Sequence, residues 1–184
     1  MRKFSYALIF STSLMTVGAA GAANTVMVGG QSMLPSKDII DNAVNSADHT
    51  TLVAAVKAAG LVETLKGNGP FTVFAPTNAA FGKLPAGTVD TLVKPESKPT
   101  LTKILTYHVV PGKYDFMALS NEIKKQNGKA SLPTASGGKL TFAMNGPHNV
   151  VVMDESGNTA SISTYDVYQS NGIINVVDAV LLPK

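Results

Sequence analysis

The sequence has no cysteine. That absence excludes disulfide staples, a thiol nucleophile, thiolate metal ligands and a lipid anchor on a processed N-terminal cysteine. Arginine is nearly absent as well, Arg2 being the only one. Reading guanine edges and clamping phosphates are chiefly arginine chemistry, so nucleic acid is not an expected partner. Several catalytic patterns are also missing. There is no Gly-x-Ser-x-Gly elbow, no phosphate loop and no dinucleotide fingerprint. His49, His108 and His148 are far apart with no paired metal-ligand spacing, and no His-Glu-x-x-His occurs. Asp154-Glu155-Ser156-Gly157-Asn158 is too short for a twelve-residue calcium loop and reads as a solvated hairpin turn. A carboxylate pair for glycoside hydrolysis depends on a distance in space, which spacing in the chain does not give. No metal, cofactor or catalytic residue is expected, and the chain reads as a non-enzyme.

What is present begins with a leader. Arg2 and Lys3 precede an uncharged, mostly apolar stretch over 4–17, and small residues fill 18–23. This is the layout of a signal peptide over 1–23, cleaved after Ala22 or Ala23. The competing reading is a membrane anchor, because 4–23 is uncharged throughout; its second half is Ala and Gly, and no basic cluster follows before Lys37. Of the 15 basic residues, Arg2 and Lys3 leave with the leader, so 13 lysines face 12 acidic residues and the net charge is about +1. The remaining length suits one domain with a core of its own.

Residues 24–36 read as an N-terminal tail or linker, with room for a loose edge strand at Val26-Met27-Val28. Helical spacing of apolar residues follows over 38–44 and 48–60, then a further turn over 61–65. Phe71 to Ala75 form a dense apolar strand stopped by Pro76, with both faces expected to be covered. Short helices are expected over 77–81 and 85–93. Pro99 opens another that ends over 109–112, where Pro111 forbids continuation, and 115–126 is again helical. From Lys129 the period changes to two. Strands are expected over 130–132, 139–143, 149–153, 159–164 and 173–182, separated by glycine-containing turns. Helices in the first half and antiparallel strands in the second make the domain, 37–184, α+β.

Three segments then carry a resemblance. Phe71-Thr72-Val73-Phe74-Ala75-Pro76-Thr77-Asn78-Ala79-Ala80-Phe81, Tyr107-His108-Val109-Val110-Pro111-Gly112, and Asn171-Gly172-Ile173-Ile174-Asn175-Val176-Val177-Asp178 with its continuation to Pro183 resemble, in order and at the right spacing, the signature segments of fasciclin (FAS1, beta-Ig-H3) domains. The resemblance implies a wedge of antiparallel β-sheets packed with several short helices, in a secreted or surface-displayed adhesion domain. Asn175 stands where that family often has histidine.

These segments supply the candidate interaction or fold-critical residues: Thr77, Asn78, Tyr107, His108, Asn171, Asn175 and Asp178. Thr77 is expected to cap the next helical turn and Asn78 to pin loop backbone, with a polar ligand clamp as the alternative. His108 is expected buried and neutral, with one ring nitrogen bonded to a backbone carbonyl and the other to a neighbouring side chain such as Thr77 or Asn175. Asp178, in an apolar strand, is expected to accept structural hydrogen bonds. The leading functional expectation is a secreted or periplasmic module, monomeric or weakly dimeric, holding a surface or matrix protein or a polysaccharide. The second is a carrier of a small apolar ligand in a cleft between helices and sheet lined by Phe116, Met117, Leu119 and Phe142.

Overall fold

The computed structural model describes residues 25–184, so the expected signal peptide lies outside the described residues. The chain enters through a hairpin of β1 (Val26–Val28) and β2 (Gln31–Met33). Val28 and Met33 are buried at 8% and 3% exposure, so this stretch, expected as a tail or linker, is packed against the core. One apolar side chain on each three-residue strand suffices, because the Ala47 amide donates to the Gly29 carbonyl and holds the turn down. Gly29 has φ +58°, and a Cβ there would run into Ser46 Oγ and the Ala47 amide.

Helix α1 (Ile39–Ala43) starts at Asp38, whose carboxylate accepts from the Asp41 amide. A 3₁₀ turn at Ala47–His49 leads into α2 (Thr50–Ala59), which stops where Gly60 turns left-handed at φ 74°. Helix α3 (Val62–Lys66) precedes β3 (Phe71–Pro76). Then come α4 (Asn78–Gly82), α5 (Thr88–Leu92), α6 (Lys98–Tyr107), β4 (Val109–Pro111) and α7 (Phe116–Lys125). The second half supplies β5 (Lys129–Pro133), β6 (Lys139–Met144), β7 (Val150–Met153), β8 (Thr159–Gln169) and β9 (Gly172–Val177).

Seven strands form one sheet in the order β4-β3-β9-β8-β7-β6-β5. The fold is α+β as expected, but the sheet is mixed: β3 pairs parallel with β9, and the other neighbours are antiparallel. Residues 109–112, expected as a helix end, instead begin with β4, because Val109 and Val110 pair with β3. Strand β9 ends at Val177 and not at 182: Asp178 exchanges hydrogen bonds with Ser161, its amide donating to the Ser161 carbonyl and its carboxylate accepting from the Ser161 amide, and 178–184 continues without a ladder. Strand β8 outruns its expected end through two register shifts, with Asp166 at φ 59° within the second.

The strands β3 and β9 separate two cores. Val73, Ala75, Ile174 and Val176 face the helical side with Leu52, Val56, Leu101 and Ile104. Phe74 and Val177 face the other side, where α7 places Leu119 and Ile123 against Leu140, Phe142 and Val152. The Phe74 and Phe142 rings meet at 5.1 Å. No helix among the described residues is long and apolar enough to cross a membrane.

Candidate functional site

Thr77 lies between β3 and α4, and its Oγ1 accepts from the Ala80 amide at 3.2 Å. Asn78 reaches away from that helix. Its Oδ1 accepts from the Thr51 amide (3.0 Å) and the Thr50 hydroxyl (3.2 Å), while its Nδ2 donates to the Ala47 carbonyl at 2.9 Å. One amide side chain thereby ties the start of α2 to the start of α4, just past β3.

Tyr107 closes α6 with no exposed surface. Its hydroxyl donates to the Lys139 carbonyl (2.7 Å) and accepts from the Glu155 amide (3.0 Å). Burial pushes the phenol pKa up, so it stays protonated. Gly138 makes room for the ring, since a Cβ there would stand 2.8 Å from Tyr107 Cε2.

His108 is buried with the expected backbone carbonyl as one partner, but its second partner is a backbone amide instead of the expected side chain of Thr77 or Asn175. Nε2 accepts from the Leu181 amide at 3.0 Å, so the ring proton sits on Nδ1 and is donated to the Ile104 carbonyl at 2.8 Å. Desolvation lowers the pKa to about 4, against smaller opposing contributions from the Ile104 carbonyl and the Asp154 charge. The ring is therefore neutral at physiological pH.

Asn171 stands at the opposite end of β9 from Asp178. Its Oδ1 accepts from the Ile39 amide (3.1 Å), and its Nδ2 donates to the carbonyls of Leu65 (2.7 Å) and Gly67 (3.1 Å). Asn175, fully buried, accepts from the Asp166 amide (3.1 Å) in the β8 bulge and donates to the Tyr114 carbonyl at 3.2 Å. Asp178 lies just past the strand, half exposed, with Lys83 Nζ at 3.5 Å. These seven residues do not converge on one cleft. They are separate braces between loops, helix ends and the two central strands.

Further braces had only faint signals. Asp154, expected in a solvated turn, is buried and accepts from the Ser156 and Asn158 amides, from Asn158 Nδ2 and from the Leu182 amide at 3.0 Å. Its Asp-x-x-x-Asn spacing was the available hint. Asp166 accepts from the Phe116 amide at 2.7 Å, fixing the start of α7. Asn42 donates to the Leu34 carbonyl and to Gln169 Oε1 and accepts from the Leu34 amide. The expected ligand cleft is not formed by its named residues: Leu119 and Phe142 are wholly buried in the second core and Met117 is 64% exposed. An apolar cavity of about 50 Å³ lies instead in the first core. Among the described residues, no three of His, Asp and Glu stand together in a way that would hold a metal ion.

The geometry defines a class: an α+β domain whose polar signature side chains are spent on internal hydrogen bonds. The comparisons give that class a family. The model of the Fasciclin domain matches residues 47–183. Protein sll1483 of Synechocystis sp. is 47% identical over 146 residues, covering 79% of this chain and 73% of the relative. Immunogenic protein MPB70 of Mycobacterium bovis is 36% identical over 170 residues, covering 90% and 77%. Cell surface glycolipoprotein MPB83 of the same species is 32% identical over 167 residues, covering 88% and 68%. A structure of a FAS1 domain pair from the insect cell adhesion molecule Fasciclin I superimposes with a TM-score of 0.70 at 20% identity, over 81% of this chain and 52% of that one, so this chain spans about half its length. The chain belongs to the fasciclin family.

Proposed function

We propose that this protein is a non-enzymatic adhesion or interaction module of the secreted or cell-envelope space that holds a protein or polysaccharide on its outer surface. The carrying observation is that Thr77, Asn78, Tyr107, His108, Asn171 and Asn175 each spend their polar atoms on groups inside the fold. Side chains so occupied are held away from acid-base or nucleophilic work, and recognition falls to exposed residues. Met117 in α7 is 64% exposed and Tyr168 in β8 is 41% exposed, and the Tyr168 hydroxyl donates to Asp115, the residue before α7, at 3.2 Å. An exposed tyrosine and an exposed methionine are residue types that interface anchors favour. The relatives' names, a cell surface glycolipoprotein and an insect cell adhesion molecule, agree with this reading.

The test is capture of partners from the host's own envelope fractions and on a glycan array, with Met117→Glu/Tyr168→Ala as the control. Saturable binding to one partner that weakens at least about tenfold in the double variant is expected. Repeated capture of nothing from either source would overturn the reading.

A further inference from the structure

The first core is incompletely filled. Its cavity of about 50 Å³ is walled by Val28 and Met33 of the hairpin, Leu52 and Val56 of α2, and Ile174 of β9. Exposed Lys57 and half-buried Val53 of α2 and half-buried Val62 of α3 also border the space.

The lining is almost wholly apolar, and His49 is the exception that matters. The residue is 3% exposed. Nδ1 bonds the Ser46 hydroxyl at 2.8 Å, whereas Nε2 has no partner, the single such buried side-chain atom among the described residues. The Ala75 carbonyl stands near enough to oppose the fall in basicity that burial causes, without completing a hydrogen bond to Nε2. His108 also borders the cavity, but both of its nitrogens are already used. A buried ring nitrogen left unpaired beside empty apolar space is costly, and a ligand that supplies its hydrogen bond removes that cost.

We propose that this cavity is a binding site for an apolar molecule carrying one hydroxyl, with the hydroxyl paired to His49 Nε2 and the hydrocarbon among Leu52, Val56 and Ile174. A hydroxyl both donates and accepts, so it serves either tautomer of His49. The volume is a third of the roughly 150 Å³ that an engineered apolar cavity offers benzene. A longer occupant therefore requires one wall to move. That wall is the β1–β2 hairpin, which stands outside the seven-stranded sheet and outside the fasciclin match at 47–183. It is tethered by the Ala47 amide on Gly29 and by Asn42 on the Leu34 backbone. The inference concerns the interior and does not rest on the adhesion reading.

The experiment is a methyl and imidazole NMR titration of the full chain with 1-butanol and with n-pentane, which have equal numbers of heavy atoms. Saturable shifts at the methyls of Val28, Leu52, Val56 and Ile174 are expected for both, with the His49 Nε2 resonance moving for butanol alone. His49→Phe should lower butanol affinity at least about tenfold and leave pentane binding unchanged. Met33→Ala, which lengthens the cavity and keeps His49, should bind 1-hexanol several-fold more tightly than the parent chain does. The proposal is overturned by shifts that spread without saturation over exposed side chains such as Met117. It is equally overturned by unchanged butanol affinity in His49→Phe, or by a single water on Nε2 that butanol fails to displace.

Discussion

His108 can accept from the Leu181 amide only while its imidazole is neutral. Burial lowers its pKa to about 4, whereas an exposed histidine in the unfolded chain titrates near 6.5. Between those values the unfolded state binds a proton that the folded state refuses, so stability is full above the upper value and falls as pH drops toward the lower one. The loss integrates to about 3 kcal/mol. His49 is shifted in the same direction by desolvation and adds to it. Urea midpoints measured from pH 7.5 to 4.5 should decline, and His108→Gln should flatten most of that slope. Asn175→Leu should cost about 3 kcal/mol by urea denaturation, because it strands the buried Asp166 amide and Tyr114 carbonyl together. The burial and neutrality of His108 were legible from the apolar residues around it in α6. Its second partner was not, since the Leu181 amide belongs to the main chain and carries no letter of its own in a sequence.

Helices wrote themselves plainly, because Leu101, Ile104 and Leu105, or Phe116, Leu119 and Ile123, repeat at helical spacing and their ends carry proline, aspartate or glycine. The short strands did not. Three residues cannot display a period, so β1 and β4 had only their valines to announce them and β2, Gln-Ser-Met, had not even that, and the bulges of β8 reset the alternation that would have traced it to Gln169. The hairpin is where this matters most. Deleting 25–33 removes Val28 and Met33 from the first core and should cost about 4 kcal/mol, read as a lowered urea midpoint with dye binding to the uncovered apolar face. A chain so shortened whose midpoint matches that of the parent would return the segment to the status of a linker.

At the scale of the molecule, the last residues decide whether the fold closes. Leu181 is fully buried in the second core and Val180 lies in the first; the amides of Leu181 and Leu182 land on His108 and Asp154. Truncation after Ala179 should therefore cost about 5 kcal/mol, checked by circular dichroism melting, through two lost apolar side chains and two acceptors left buried. The α+β class was legible from the change of period at Lys129. The parallel pairing of β3 with β9 was not, because residues 71 and 172 give no local sign of each other. That pairing has a mechanical consequence. The N-terminal segment is fastened at the start of β9, where Ser170 donates to Lys37 and Asn171 accepts from Ile39, while the C-terminal residues leave from its other end. Tension applied between the two ends of the domain thus pulls β9 lengthwise past both neighbours, loading its whole ladder in shear at once instead of peeling it open bond by bond.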